Sequence, residues 1–102
     1  MFKFTVTQNS PEILAMEMNG ELNTVAAQDL QEEIESLQKD MIKPMLIDVT
    51  RLNYISSTGL RIFMIIKKTA NANGQTVTLK GLNDIVEKVF KMTGFDKMFE
   101  IV

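Results

Sequence analysis

Three consecutive hydroxyl side chains, Ser56, Ser57 and Thr58, stand just before an otherwise apolar stretch in the middle of the chain. That stretch predicts a helix over residues 57–72, which places the hydroxyls at its N-terminus. A helix N-terminus has unpaired N–H groups and a partial positive charge, so a phosphate attached there is locally stabilised. Arg61, four residues after Ser57, can approach such a phosphate from the same helix face. The pattern predicts either an anion or modification site, or hydroxyl caps that simply start the helix.

The other residues offer little support for catalysis. The chain has no cysteine and no histidine, which excludes disulfides, Cys/His zinc sites and nucleophile–histidine pairs. Its five glycines lack the spacing of either nucleotide-phosphate loop. Asp48, at the C-terminal end of a predicted strand, is interpreted as a lone acid bonded to nearby backbone N–H groups; a small α/β enzyme that uses it is the less favoured alternative. We therefore expect no enzyme activity, no metal and no cofactor.

The charge distribution argues against nucleic-acid and membrane partners. The 102 residues carry a net charge of −2, which provides no basic surface for either. Residues 1–50 hold three basic and nine acidic side chains, whereas residues 51–102 hold eight and four. This asymmetry indicates either a dipolar surface that orients a charged partner or two solvated faces. The longest apolar run, Ile62–Ile66, is too short for a membrane span and the chain opens without a signal peptide, so we expect a cytoplasmic protein.

Hydrophobic periodicity and turn residues predict alternating strands and helices along the chain. The first predicted elements are a hairpin of strands around residues 3–7 and 12–18, broken at Gly20, and a helix capped by Asn23 or Thr24. A strand over Met45–Val49, a loop over Arg51–Ile55 and a helix over Ser57–Ala72 follow. The last elements are a strand over Thr76–Lys80, a helix that starts at Asn83 or Asp84 and ends at Gly94, and a closing segment, Phe95–Val102, with room for one more strand. The second helix is apolar around too much of its circumference for a single stripe. We expect it to be buried on more than one side.

This order of elements predicts one α/β (α+β) domain over residues 1–102. Helices between successive strands favour parallel pairing with right-handed crossovers, while the N-terminal β-hairpin adds an antiparallel pair. The expected architecture is a mixed, mostly parallel sheet of four to five strands, flanked by three or more helices. Leu60, Phe63 and Met64 of the second helix are predicted to be partly exposed as a docking face.

Three segments resemble those of STAS domains of the anti-sigma-factor antagonist type. Leu52–Leu60, which contains Ser56-Ser57-Thr58-Gly59-Leu60, resembles the family signature Asp-Ser-[Ser/Thr]-Gly-Leu. Gly20–Asn23 resembles the Gly-Glu-Leu-Asp that precedes the family's first helix, and Val89–Phe99 resembles its C-terminal Leu-Thr-Gly-Leu-Asp-Lys-Leu-Phe segment. The three segments occur in the family's order and span the whole chain, which makes the resemblance specific.

The resemblance implies a phosphorylation-controlled binding protein of bacterial partner-switching pathways, and not an enzyme. An unphosphorylated antagonist binds an anti-sigma factor, itself a serine kinase that uses ATP, and thereby releases a sigma factor; phosphorylation reverses this and a phosphatase resets it. By position, Ser57 is the implied phosphoacceptor and Thr58 the second hydroxyl of the motif. Gly59 is expected to let the helix start lie close to a partner's backbone. The implied protein is a monomer or weak homodimer that binds other proteins, with no nucleic acid and no direct membrane contact.

Two positions depart from the family pattern, because Asn23 and Ser56 stand where it commonly has acidic residues. Kinase recognition or phosphate hydrolysis is expected to change as a result. The alternative function is a STAS accessory subunit of a transporter or signalling scaffold without phospho-switching, in which Ser57 is retained only as part of the cap. The expected partner-binding residues are Asn23, Ser56, Ser57, Thr58, Gly59, Leu60, Arg61, Phe63 and Met64.

Overall fold

The computed structural model describes residues 1–102 as six strands and three α-helices. The elements are β1 (Lys3–Asn9), β2 (Leu14–Leu22), α1 (Thr24–Leu37), β3 (Met45–Asp48), β4 (Leu52–Ile55), α2 (Ser57–Ala72), β5 (Val77–Lys80), α3 (Asp84–Thr93) and β6 (Glu100–Ile101). Short 3₁₀ turns follow α1 at Gln38–Asp40 and α3 at Phe95–Lys97. The predicted single α/β fold with an N-terminal hairpin is confirmed, with six strands where four to five were expected.

The sheet is mixed and mostly parallel, in the order β1-β2-β3-β5-β6. Only β1 and β2, the two strands of the hairpin, run antiparallel. The long strand β2 pairs with two strands in succession, first with β3 and then, beyond Glu17, with β4. This second pairing matters for the site because it brings the ends of β2 and β4 together, with Leu22 opposite Ile55.

The strand β4 corrects the sequence prediction at Arg51–Ile55, which was expected to be a loop. Leu52 and Ile55 are buried and the two residues between them are exposed, so the segment lacks the strict alternation that predicts a strand. The predicted break at Gly20 is also wrong, because β2 continues to Leu22 through a register shift between Gly20 and Glu21. A bulge of this kind lets a strand bend and continue where the sequence pattern indicates an end.

The helix α2 lies against α1 and α3 and is the most deeply buried helix of the fold. Phe63 is fully buried, with its ring 5.3 Å from that of Phe90 and 6.1 Å from that of Phe99 in edge-on arrangements. The expected burial of α2 on more than one side is therefore confirmed, and the predicted exposure of Phe63 is wrong. No helix of the fold combines the length and apolarity needed to cross a membrane.

Candidate functional site

The candidate site forms where two paired strands end and two helices begin. Leu22 and Ile55 are opposite each other at the ends of β2 and β4, and each is followed by one residue that caps a helix. Asn23 caps α1, since its side-chain oxygen accepts a hydrogen bond from the amide of Ala26 at 2.9 Å. Parallel strands thus place the N-termini of α1 and α2 side by side, where both present partial positive charge.

Ser56 holds the start of α2 from inside the protein. Its Oγ accepts a hydrogen bond from the amide of Gly59 at 3.0 Å and donates one to the carbonyl of Leu22, also at 3.0 Å. The Ser56 amide donates to the same carbonyl at 2.9 Å. Only 8% of Ser56 is exposed, so this hydroxyl is committed to the fold. Ser56 is among the predicted partner-binding residues, whereas the structure gives it an internal, supporting role.

Ser57, the next residue, has the opposite environment. It is exposed, occupies the first position of α2, and its hydroxyl has no hydrogen-bond partner within the chain. The first turn of α2 contains no acidic residue, so nothing there opposes the arrival of an anion. Thr58 is half-buried and its hydroxyl is likewise unbonded. The geometry leaves Ser57 as the accessible hydroxyl of the three, beside the unpaired N–H groups of a first helical turn.

Gly59 is a packing residue. A Cβ at this position would lie 2.9 Å from Ile55 Cγ1 and 2.9 Å from Leu22 Cγ, both of which belong to the core. The expectation that Gly59 allows close approach of a partner is wrong, because the residue is buried and the close approach is internal. Its missing side chain lets the first turn of α2 lie directly on the ends of β2 and β4.

Comparison with known proteins then decides the family. The model of the STAS domain family matches residues 5–102, which is nearly the whole chain. The chain belongs to the STAS domain family. It is 24% identical over 97 residues to the anti-sigma-B factor antagonist of Staphylococcus aureus strain NCTC 8325, an alignment that covers 95% of this chain and 88% of the relative.

Solved structures confirm the STAS fold. An anti-sigma factor antagonist from Mycobacterium paratuberculosis superimposes with a TM-score of 0.80 at 20% identity, covering 99% of this chain and 85% of that one. SpoIIAA, an anti-sigma factor antagonist solved in its unphosphorylated form, gives 0.75 at 16% identity, covering 98% and 87%. Its Bacillus structure in the phosphorylated form gives 0.72 at the same identity, covering 100% and 91%. These relatives are named as antagonists of anti-sigma factors and not as enzymes, and the prediction that this chain is not an enzyme is confirmed.

Beyond the helix start, the STAS domain exposes a basic and partly apolar face of α2. Arg61 is exposed and free of ion pairs, since the single ion pair of the chain joins Lys91 and Glu87. Leu60 and Met64 are half-buried, so the predicted docking face keeps two of its three members. The structure therefore assembles Ser57, Arg61 and parts of Leu60 and Met64 on one accessible region.

The sequence does not predict two sets of hydrogen bonds that hold the helix starts on the ends of the strands. The Leu22 carbonyl receives both hydrogen bonds from Ser56, and Asn83, the cap of α3, uses its amide nitrogen to bond the Leu52 carbonyl at the start of β4. Asn83 also accepts a hydrogen bond from the Val86 amide at 3.0 Å. A backbone carbonyl leaves no signal in a sequence, and a second bond from a cap residue depends on the tertiary fold. Neither contact was predictable from local patterns.

Asp48 lies at the end of β3 and shows the environment expected of a strand-end acid. Its Oδ1 accepts a hydrogen bond from the Thr50 amide at 3.0 Å. Hydrogen bonds from the Thr50 side chain and amide hold the pKa of Asp48 below its ordinary value. Burial opposes this shift, and the nearby charges of Lys80 and Arg51 add smaller lowering effects. No other acid, histidine or cysteine completes a metal-binding cluster with it. The interpretation of Asp48 as a bonded strand-end acid is confirmed.

Proposed function

We propose that this STAS domain is an anti-sigma factor antagonist that binds an anti-sigma factor serine kinase while Ser57 is unmodified and is released when Ser57 is phosphorylated. Binding frees a sigma factor, and a serine phosphatase restores the unmodified state. The antagonists named among its relatives and the similarity to SpoIIAA, a protein solved with and without phosphate, support this assignment. A bacterial cytoplasm is the compartment in which such a pathway operates.

The observation that carries the proposal is that Ser56 and Ser57 have different roles: the Ser56 hydroxyl is used in the fold, and the Ser57 hydroxyl is not. The Ser56 hydroxyl caps α2, because it accepts a hydrogen bond from the Gly59 amide and donates one to the Leu22 carbonyl. The fold therefore does not need the Ser57 hydroxyl. A kinase must reach a hydroxyl and bring it in line with the γ-phosphate of ATP, which requires an exposed side chain. Ser57 meets that requirement and Ser56, at 8% exposure, does not.

The proposed transfer is an ordinary phosphoryl transfer to an alcohol. Ser57 Oγ attacks the γ-phosphorus of ATP, the bond from that phosphorus to the bridging oxygen breaks, and ADP leaves. The hydroxyl proton passes to a base of the kinase. The α2 N-terminus then holds the new phosphate through its unpaired N–H groups, and Arg61 supplies a positive charge on the same helix face.

The switch acts on the partner surface and leaves the fold intact. The phosphate adds about −1.5 to −2 charges at pH 7 at a helix end that favours anions, so the STAS domain keeps its stability. A partner surface fitted to a small neutral hydroxyl must instead repel or bury a dianion, which costs several kcal/mol when the charge is poorly paired. An affinity loss of about 100-fold, on the order of 3 kcal/mol, is expected.

The two neutral residues at Asn23 and Ser56 point to a kinase adapted to this surface. Asn23 is exposed beside the α2 start, where a carboxylate would be available to a basic partner residue. If the partner carries the basic groups of the wider family, Asn23→Asp strengthens binding by about 0.5–1 kcal/mol, as for one exposed ion pair. A kinase matched to a neutral side chain gains nothing from that substitution.

Phosphate mapping tests the proposal at the level of one atom. Wild type, Ser57→Ala and Thr58→Ala are incubated with ATP and each serine kinase of the anti-sigma type from the source genome, and adducts are located by tandem mass spectrometry. Wild type and Thr58→Ala are expected to carry one phosphate on Ser57, and Ser57→Ala none. Phosphate on Ser56 or Thr58 would show that the acceptor is assigned to the wrong hydroxyl, and no labelling by any of these kinases would favour the transporter or scaffold function.

A further inference from the structure

A surface groove between β1 and the first half of α1 lies beside the candidate site. Its volume is about 380 Å³, and its apolar lining comes from Phe2, Phe4, Val25, Ala26 and Leu30. Val25 is 68% exposed although it belongs to α1, and both phenylalanines are only half-buried. Asn23, the cap of α1, lines the end of the groove nearest the candidate site, so the two surfaces are continuous.

Gly20 makes one wall of this groove possible. Its backbone has φ +98°, a conformation that glycine adopts without strain, and the Met1 carbonyl lies against the space where a Cβ would stand. The N-terminal segment can therefore lie directly on β2 and bring Phe2 to the groove. Phe4 is held beside it by its pairing with Met18.

The rim of the groove is acidic and has no cation of its own. Asp29 and Glu33, one helical turn apart on α1, line the groove, and neither forms an ion pair within the chain. The α1 helix contains no lysine or arginine, and its first turn contains no acid. The carboxylates of Asp29 and Glu33 are four residues apart on the helix and therefore repel each other. They also lie beyond the first turn, where the helix dipole would stabilise negative charge. A cation from outside the chain would relieve this unfavourable arrangement.

We infer that the groove binds a segment of the partner protein in which a bulky apolar side chain is flanked by lysine or arginine. The apolar side chain packs between the two phenylalanines and Val25, and the cations meet Asp29 and Glu33. Charge complementarity favours this occupant over an acidic or purely apolar one. The identity of the partner as the anti-sigma factor rests on the proposed function, whereas the chemistry of the groove does not.

The first test uses a probe that is independent of any sigma pathway. A synthetic peptide of alternating lysine and leucine is titrated into ¹⁵N-labelled protein, with a glutamate and leucine peptide as the control. Amide shifts are expected at Phe2, Phe4, Val25 and Ala26 with the basic peptide only. Asp29→Asn/Glu33→Gln should weaken that response about tenfold, as for two exposed ion pairs, and Glu32→Gln/Glu35→Gln, which removes the same charge outside the groove, should leave it within about threefold.

The second test measures the affinity of the same variants for the anti-sigma factor that binds wild type. The groove pair, Asp29→Asn/Glu33→Gln, is expected to bind about tenfold more weakly and with a weaker salt dependence. The control pair, Glu32→Gln/Glu35→Gln, is expected to keep the wild-type affinity and salt dependence. Equal losses in both pairs, or peptide shifts elsewhere on the surface, would overturn the inference. If Ser57→Asp weakens binding while the groove pair binds like wild type, the groove assignment fails and the switch stands. Self-association abolished by the groove pair would assign the groove to a second copy and overturn the inference as well.

Discussion

The helices α1 and α2 begin side by side, each one residue after a strand end, yet their first residues have different surroundings. Asn23 caps α1 from an exposed position with one hydrogen bond. Ser56 caps α2 from a buried position and also bonds the Leu22 carbonyl, which immediately precedes Asn23. The same capping chemistry therefore serves as a surface feature in α1 and as part of the core in α2.

This difference shows how an exposed hydroxyl can be separated from structural constraint. Ser57 and Thr24 both occupy the first helical position and both are exposed. At α2, however, the neighbouring cap and Gly59 are fixed by the core, so the helix start is rigid while its first hydroxyl remains free. A modification there changes the surface without loosening the support beneath it.

The largest expected difference between the two helix starts is at the third helical position. Gly59→Ala should lower the free energy of unfolding by about 1–3 kcal/mol, because the new methyl group overlaps Leu22 and Ile55. Helix propensity alone predicts a gain of about 1 kcal/mol for the same change. At α1 the equivalent residue is Ala26, and Ala26→Gly should cost about 1 kcal/mol, as propensity predicts. Urea unfolding measures both, and a more stable Gly59→Ala would contradict the packing account.

The second-largest expected difference is in the stability lost when each of the two cap residues is replaced by alanine. Ser56→Ala removes a buried cap and leaves the Gly59 amide without its partner, so a loss of about 2 kcal/mol is expected. Asn23→Ala removes an exposed cap that water can partly replace, with an expected loss of about 1 kcal/mol or less. Ser57→Ala serves as the matched control and should unfold within about 0.5 kcal/mol of wild type. Equal losses at Ser56 and Asn23 would show that burial does not distinguish the caps.

Charge at the first helical position should have a smaller effect, of favourable sign. Ser57→Asp and Thr24→Asp each place one carboxylate at a helix N-terminus, where the dipole contributes about 0.3–1 kcal/mol of stabilisation. Thermal unfolding should therefore show both variants at or slightly above the wild-type melting temperature. A clear drop for Ser57→Asp alone would mean that an anion loosens α2 and that phosphorylation acts by disturbing the fold.

The smallest effect concerns Asp48, at the end of the neighbouring strand β3. Its pKa is held below the ordinary value of 3.8, so the charged form is stabilised by folding above that pH and the contribution is lost as the pH falls through the lowered value. Asp48→Asn should be slightly less stable than wild type at pH 7, and the difference should shrink below about pH 4. A difference that persists unchanged in acid would assign the effect to hydrogen bonding and not to charge.

The sequence predicted the features that depend on local chemistry. The helix starts were predicted with alternatives at each one: Asn23 or Thr24 for α1, the three hydroxyls before α2, and Asn83 or Asp84 for α3. The structure selects Asn23, Ser56 and Asn83, and it confirms the predicted bounds of α2. The resemblance to the STAS family also came from the residues, and the family match over residues 5–102 confirms the family.

The features that depend on long-range packing were not predictable from the sequence. β4 is a strand because β2 offers it an edge, and its own four residues do not alternate. Phe63 is buried because α3 and the C-terminal turn bring Phe90 and Phe99 onto it, contacts that span 27 residues or more of sequence. The role of Gly59 depends likewise on side chains from two separate strands.

The affinity for the anti-sigma factor, measured for charge variants of the two helix starts, tests whether Ser57 acts as a charge switch. Isothermal titration calorimetry would compare wild type with Ser57→Asp, its neutral counterpart Ser57→Asn, and Thr24→Asp, which carries the same charge at the first position of α1. We expect an affinity loss approaching about 100-fold for Ser57→Asp, much smaller losses for the two controls, and unchanged folding of all three. Wild-type affinity in Ser57→Asp, or an equal loss in Ser57→Asn, would contradict a charge switch at Ser57.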